Sequence, residues 1–287
     1  MTNVLVTGAT GTVGSHVVDG LVDTPDVAVT AASRDPDGVA DRFGCPTVTF
    51  DVTDPSTYRA AFADADALFL VRPPALARVR RDIVPALAAA VGAGVDHVVF
   101  LSVLGAQRNP LVPHARIESW LEASGLETTF LRASFFMQNL STTHREEIRE
   151  GRLAVPAGDG ETSLVDARDV AAVAAETLRT GTTGAYDLTG PEALDYATVC
   201  RRLSRELGFE VAYTDPSLSR FLLSRYRLEG DLAKTGVMAA IYTTARLGLA
   251  DRVTDDVRSI LGRPPTPFGT FVRDHRSVWA QPSVGSP

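Results

Sequence analysis

The fold is decided by residues 4–14, Val4-Leu5-Val6-Thr7-Gly8-Ala9-Thr10-Gly11-Thr12-Val13-Gly14, which join a short apolar run to glycines spaced G-x-x-G-x-x-G. The run predicts a buried strand, and the residues after Gly14 predict a helix. Gly8 permits a tight turn, Gly11 lets the backbone approach a pyrophosphate, and Gly14 lets the new helix pack against the strand. The unpaired N–H groups at the start of that helix then face the phosphates. We therefore predict a dinucleotide site formed by this turn, at Gly8, Thr10, Gly11, Thr12, Val13 and Gly14.

The choice of cofactor is indicated by Ser33 and Arg34, which follow a second predicted strand over residues 27–32. A site specific for NAD normally places a carboxylate there, to accept from the 2′-hydroxyl of the ribose. Arginine suits a 2′-phosphate instead, because its planar fork binds phosphate through two hydrogen bonds, and Ser33 can donate a further one. The alternative is a solvated arginine that is neutralised by Asp35. We predict NADP(H) as the cofactor, bound in part by Ser33 and Arg34.

The composition of the chain limits the other function classes. Its 287 residues are 45% hydrophobic, and the net charge of −7 is spread along the sequence, so nucleic acid is not an expected partner. Cys45 and Cys200 stand far apart without metal-ligand spacing, so we expect free cysteines, no metal site and a reducing, cytoplasmic location. We see no targeting peptide and no membrane span. Lys234 is the only lysine, so chemistry that requires a lysine has a single candidate.

Apolar runs and helical segments alternate through the first half of the chain, which predicts the α/β class. We expect a Rossmann-type doubly wound parallel sheet with strand order 3-2-1-4-5-6. A helix is predicted over 136–150, short strands over 153–155 and 163–165, and a helix over 167–178. We assign residues 1–150 to an NAD(P)-binding domain. Residues 151–287 are assigned to a smaller, mainly helical substrate lobe, interleaved with the sheet edge in one structural unit.

Two further predicted strand ends contribute to the cofactor edge. Asp51 and Val52 follow the third strand, where the carboxylate and a backbone N–H can meet an adenine. Asp51 or Asp54 can instead cap the helix that begins near Pro55. The fourth strand ends in Val71 and Arg72, whose backbone should face the ribose on the nicotinamide side. Arg72 either holds a phosphate or an acidic substrate, or is simply exposed.

The candidate catalytic residues are Ser102, after the fifth strand, and His114, at the start of the next helix. Most short-chain dehydrogenases place a serine and a Tyr-x-x-x-Lys pair at these two positions to move a proton. None of the six tyrosines of this chain has a lysine four residues later, and His114 is followed at that spacing by Glu118. His114 can act as an acid or base, because the pKa of histidine lies near neutrality and Glu118, one turn along, can raise it. The alternative is that His114 only contacts the ribose or caps the helix.

The chain resembles the NmrA-like family of atypical short-chain dehydrogenases/reductases. The resemblance rests on several short motifs in a shared order: Thr7-Gly8-Ala9-Thr10-Gly11-x-x-Gly14, Ser33-Arg34, Leu101-Ser102-x-x-Gly105-Ala106, His114-x-x-x-Glu118, Ser124-Gly125-Leu126-x-x-Thr129-x-Leu131-Arg132, Phe136-Met137-x-Asn139, Val165-Asp166-x-x-Asp169-Val170-Ala171 and Tyr186-x-Leu188-Thr189-Gly190-Pro191. Within the family, the resemblance is greatest to NADPH-dependent quinone oxidoreductases and triphenylmethane reductases, which also tend to lack the Tyr-x-x-x-Lys pair. Isoflavone-reductase-like members rely on a lysine near the position of His114, and this chain has none there.

The resemblance implies an NADPH-dependent reductase that transfers hydride directly to a small aromatic or quinone-like acceptor. Phe136 and Asn139 are the predicted substrate residues, although an aromatic stripe of this kind also packs helices. Asp166 and Asp169 are expected to be structural, as caps of the helix that starts near Ala167. The family also contains redox sensors, so the alternative is a non-catalytic NADP(H)-binding regulator that acts through a protein partner. A homodimer is left open.

Overall fold

The computed structural model describes residues 1–280, except the side chains of Glu229 and Ala233. The strands are β1 Thr2–Val6, β2 Val27–Ser33, β3 Thr47–Thr49, β4 Ala67–Val71, β5 His97–Val103, β6 Glu127–Ala133, β7 Arg152–Ala154, β8 Glu161–Thr162, β9 Gly184–Leu188, β10 Leu194–Asp195 and β11 Ala212–Thr214. The helices are α1 Gly14–Leu21, α2 Asp37–Phe43, α3 Tyr58–Phe62, α4 Val79–Asp82, α5 Val84–Ala93, α6 Pro113–Glu122, α7 Gln138–Ser141, α8 Arg145–Arg149, α9 Ala167–Thr180, α10 Tyr196–Leu207, α11 Leu218–Glu229, α12 Leu232–Arg246, α13 Asp256–Leu261 and α14 Phe268–Asp274. Short 3₁₀ turns cover Pro55–Thr57, Ala106–Arg108 and Arg276–Trp279.

A parallel sheet of seven strands, drawn from residues 2–188, has the order β3-β2-β1-β4-β5-β6-β9. The Rossmann-type sheet and the predicted order of its first six strands are confirmed. The strand order reverses beside β1, which pairs with β2 on one side and with β4 on the other. Ligands of such sheets bind at the carboxyl ends of the strands near this reversal. The turn after β1 therefore lies where a nucleotide is expected.

The chain divides into two compact units. The first unit comprises Met1–Ala133, Ala167–Leu188 and Asp255–Pro264. The second comprises Ser134–Asp166, Thr189–Thr254 and Pro265–Pro287, of which residues 281–287 lie outside the described part of the chain. This division differs from our single boundary after residue 150. The reason is that β9 pairs with β6 as a seventh strand, and α9 packs against α1.

The core of the first unit forms where the apolar faces of the strands meet the covering helices. One cluster contains fully buried side chains of β4, β5, α5 and α6, among them Leu68, Phe100, Leu87 and Ile117. Central strands of a parallel sheet are covered on both faces, which explains why β4 and β5 are almost continuously apolar. This packing holds the carboxyl ends of the strands in place.

The second unit has its own core of aromatic and aliphatic side chains, centred on Tyr196, Tyr242, Phe271 and Trp279. Two small sheets, β10 with β8 and β11 with β7, accompany its helices. Among the described helices of both units, none combines the length and the hydropathy that crossing a bilayer requires.

Two sequence predictions in the second unit are wrong. The predicted helix over 136–150 is split into α7 and α8, because the hydroxyl groups of Ser141 and Thr142 both donate to the carbonyl of Gln138 and compete with the helical pattern. The predicted strand over 163–165 is instead β8 at Glu161–Thr162. Beyond it the chain turns, since the Leu164 N–H donates to the carbonyl of Thr162.

Candidate functional site

The turn after β1 is built from backbone groups. Gly8 has a φ of +65°, a conformation that L side chains rarely adopt. The Gly11 N–H donates to the Gly8 carbonyl at 2.8 Å, and the Ser15 N–H donates to the Gly11 carbonyl at 3.1 Å. Gly8, Thr10, Gly11 and Thr12 are exposed, whereas Val13 and Gly14 are buried. The six predicted residues of the turn thus form a tight loop with an open outer surface.

Gly14 is required by the turn itself. A Cβ on Gly14 would lie 2.2 Å from the Gly8 carbonyl oxygen, and one on Gly11 would lie 3.2 Å from the same atom. We predicted that Gly14 allows the helix to pack against the strand, but the tight contact is with the loop. No side chain caps the start of α1. Such a helix start favours an anionic group.

Thr7 joins the turn to β4, a role that sequence reasoning missed. Its hydroxyl donates to the carbonyl of Phe69 at 2.8 Å and accepts from the Val71 N–H at 2.9 Å. A Cβ on Gly8 would lie 3.3 Å from the Val71 Cβ. Val71 therefore lies against the turn, as its predicted place in the site requires. The signal was present in the sequence, since a threonine directly before the first glycine has a hydroxyl at the strand end.

Ser33 and Arg34 stand at the end of β2. The Ser33 hydroxyl accepts from the Asp35 N–H at 3.1 Å, and the Arg34 side chain is exposed. The pKa of Asp51 is lowered, first by the hydrogen bond from the Thr53 backbone, and among the further causes by the charge of Arg34. Arg34 and Asp51 therefore share one edge of the sheet. Their assigned roles at a 2′-phosphate and an adenine stay predictions.

The residues after β3 are largely occupied by local contacts. One carboxylate oxygen of Asp51 accepts from the N–H and the hydroxyl of Thr53, at 2.8 and 2.7 Å. The carbonyl of Val52 accepts from the Tyr58 hydroxyl at 2.6 Å. Asp54 caps the 3₁₀ turn at Pro55–Thr57, which was one of the two alternatives for this aspartate pair.

Arg72 is neither free in solvent nor open to a phosphate through all its donors. Its Nη1 donates to the carbonyl oxygens of Pro73 and Pro74, both at 3.0 Å, and to that of Leu76 at 2.9 Å. Its Nε lies 3.5 Å from Nε2 of His114. The guanidinium is thus held by its own loop and directed toward the predicted catalytic histidine.

His114 lies on the first turn of α6, with its ring stacked on Phe100 at 5.9 Å between centroids. Its pKa is lowered to about 4, by burial and then by the charge of Arg72. We expected Glu118 to raise this pKa, and that expectation is wrong. The imidazole is therefore neutral at physiological pH, so it holds no proton ready for donation as an imidazolium.

Glu118 is instead the centre of a buried network. Its carboxylate accepts from Arg132 Nη2 at 2.6 Å and from Arg132 Nε at 3.2 Å, and it also accepts the hydroxyl proton of Ser102. The network ties α6 to the ends of β5 and β6, and Glu118 and Ser102 within it are buried, at 3% and 1% exposed. Sequence reasoning placed Arg132 in a family motif without giving it a partner. The arrangement favours a structural role for Ser102, and its catalytic role stays a prediction.

The sequence profile of the NmrA-like family matches residues 1–226. The chain belongs to the NmrA-like family. It is 33% identical to the NAD(P)H azoreductase of Xenophilus azovorans, over 96% of this chain and 99% of that protein.

Two solved structures share the fold of this NmrA-like protein. An NADPH-dependent quinone oxidoreductase of Escherichia coli, in complex with NADPH, gives a TM-score of 0.86 at 23% identity, covering 95% of this chain and 99% of the other. The triphenylmethane reductase of Citrobacter sp., in complex with NADP(H), gives 0.83 at 22% identity, covering 96% and 100%. The predicted likeness to these two kinds of reductase is therefore confirmed.

The predicted substrate residues of the NmrA-like protein, Phe136 and Asn139, belong to the second unit. Phe136 forms a parallel bridge with Val165, and its carbonyl accepts from the Asn139 N–H at 3.1 Å. Both side chains are half-buried. Neither is absorbed into the core, and their contact with a substrate stays a prediction.

Asp166 and Asp169 are fully buried, as structural residues are expected to be. Within the second unit, Gln138 Nε2 donates to Asp166 at 2.7 Å. Within the first, Arg263 Nη1 donates to Asp169 at 2.8 Å. Among residues 1–280, no group of three or more histidine, cysteine or acidic side chains is arranged to hold a metal ion.

Proposed function

We propose that this NmrA-like protein is an NADPH-dependent reductase that transfers hydride to a small aromatic or quinone-like acceptor. The observation that carries the proposal is the exposed glycine turn after β1, with its uncapped helix start. A helix start without a side-chain cap suits a dinucleotide pyrophosphate, and the residues Gly8 and Gly14 tolerate no side chain there. Bound NADPH supplies the hydride, and the chain supplies binding and orientation.

Direct hydride transfer fits the residues around His114. The position that carries a proton relay in most short-chain dehydrogenases is occupied here by a neutral histidine and a carboxylate that is already paired. An acceptor that takes hydride without simultaneous protonation needs no such relay. Quinones and cationic dyes are acceptors of this kind, and the two solved structures described above are a quinone oxidoreductase and a triphenylmethane reductase by name.

The preference for NADPH over NADH rests on Arg34. Its exposed guanidinium at the end of β2 stands where a carboxylate would otherwise select the 2′-hydroxyl. Among the described residues, no salt bridge joins Arg34 to Asp35. A regulator without turnover is not proposed, because the relative above 30% identity described above is named as an enzyme.

The proposal is tested by following NADPH oxidation with a panel of quinones, azo dyes and triphenylmethane dyes. Gly11→Ala is the negative control, because the new Cβ would crowd the Gly8 carbonyl in the cofactor turn. This variant should lose activity although its acceptor site is unchanged. Oxidation by the parent protein that is absent from the variant is the expected result. NADPH binding without oxidation across the panel would contradict the reductase and leave a sensor.

A further inference from the structure

Arg72 is an unusual neighbour for a histidine. Three donor contacts from Nη1 to backbone carbonyls of residues 73, 74 and 76 hold its guanidinium in one place. Burial lowers the pKa of this arginine, yet arginine remains protonated throughout the physiological range. The loop after β4 therefore presents a stationary cation at a defined position beside α6.

That cation is directed at one particular nitrogen of His114. Arg72 Nε lies 3.5 Å from His114 Nε2, and a guanidinium has donors only. The Nε2 atom must then present its lone pair, because an N–H there would oppose the N–H of the arginine. In a neutral imidazole the proton consequently resides on Nδ1.

The other groups that face His114 do not favour the charged ring. The Phe100 ring from β5 stacks on it at an interplanar angle of 25° and carries no charge. On its own helix, the carboxylate of Glu118 is engaged by Arg132 and Ser102. Burial and Arg72 together account for the lowered pKa of the imidazole.

We propose that Arg72 is a positioning residue that holds His114 as the neutral tautomer with its proton on Nδ1. His114 then offers a ligand a hydrogen bond from Nδ1–H without giving up a proton. If the proposed reductase activity is correct, this donor suits an acceptor that bears a hydrogen-bond-accepting oxygen, such as a quinone. Hydride transfer from NADPH to a quinone leaves NADP⁺ and a hydroquinone monoanion, which takes its proton from water, so the step needs no titrating group on the chain.

The tautomer can be measured directly by long-range ¹H–¹⁵N correlation spectroscopy of the ligand-free protein, with the His114 signals assigned by their loss in His114→Asn. In the parent protein at pH 7, the shifts should be those of an Nδ1–H imidazole. In Arg72→Leu, the pKa of His114 should rise by about one unit and the tautomers should mix. Arg116→Leu is the matched control, since it removes an exposed guanidinium from the same helix and should leave both properties unchanged.

An Nε2–H tautomer or an imidazolium at pH 7 in the parent protein would overturn the proposal, even if Arg72→Leu fails to fold. An unchanged His114 pKa in a folded Arg72→Leu variant would also overturn it. Because the spectra are recorded without cofactor or acceptor, they separate this proposal from the reductase assignment. A protein without turnover can still show the Nδ1–H form.

Discussion

Two parts of the first unit stand at the carboxyl ends of strands of the same sheet and are built on opposite principles. The turn after β1 is formed by backbone, since Gly8, Gly11 and Gly14 matter through the side chains that they lack. The region at the start of α6 is formed by side chains. There Arg72 pairs with His114, and Arg132 pairs with Glu118. A site built from backbone can be predicted from residue type and spacing in the sequence. A site built from side chains can be predicted only when the packing of the elements is known.

The largest expected effect is a loss of stability when the side-chain network of α6 is broken. Glu118→Ala leaves Arg132, which is 12% exposed in its side chain, without its carboxylate. Removing one partner of a buried ion pair costs about 3–5 kcal/mol, so the free energy of unfolding in urea should fall by that amount. Glu122→Ala, an exposed carboxylate on the same helix, is the control and should change it by less than about 0.5 kcal/mol. Equal effects of the two variants would mean that the network does not stabilise the fold.

The next largest expected effect is a loss of stability and of NADPH binding when the glycine turn after β1 is crowded. Gly14→Ala places a Cβ 2.2 Å from a carbonyl oxygen that cannot move without the turn. We expect a loss of about 3 kcal/mol in stability together with loss of NADPH binding, measured by denaturation and by calorimetry. Gly92→Ala is a matched change on α5, where a Cβ would meet nothing within 4 Å, and it should retain both. If Gly14→Ala binds NADPH with normal affinity, the glycine motif is a simple turn and does not bind the cofactor.

The sequence predicted the backbone region well because the alternation of strand, glycine turn and helix is local. It also predicted the strand order, since parallel crossovers allow few topologies. It did not predict that Glu118 binds Arg132 rather than His114. His114 is one turn from Glu118 on α6, whereas Arg132 lies on β6. Only the packing of α6 against β6 decides which of the two pairs with Glu118. The split of α7 from α8 was missed for a similar reason, because the side-chain bonds of Ser141 and Thr142 compete with the helix.

A smaller effect is expected on cofactor choice. Arg34→Ala should weaken NADPH binding about tenfold or more while NADH binding stays unchanged, because a charge-assisted contact to the 2′-phosphate contributes about 1.5–3 kcal/mol. Calorimetry with both dinucleotides measures this directly. Arg42→Ala, on the neighbouring α2, controls for a general loss of positive charge. Similar affinities of the parent protein for NADPH and NADH would refute the role of Arg34.

The last effect is a pH dependence that arises from His114, and it is confined to acidic pH. Its pKa in the folded protein is about 4, below the ordinary value of 6.5, so the unfolded chain takes up a proton first as the pH falls. The stability linked to this group is complete above pH 6.5 and is lost as the pH falls from about 6.5 to 4. His114→Asn should flatten that part of the stability profile, whereas the exposed His16→Asn should not. A parallel decline in His114→Asn and the parent would show that other groups cause it.

The most direct test of the account is the isotope dependence of NADPH oxidation with a quinone that the protein accepts. Deuterium at the transferred position of the nicotinamide should slow single-turnover oxidation, whereas replacing water by D₂O should leave the rate nearly unchanged. That pair of results is expected for direct hydride transfer beside a neutral His114 that donates no proton. A large solvent isotope effect that disappears in His114→Asn would contradict the account, and so would bound NADPH that is never oxidised.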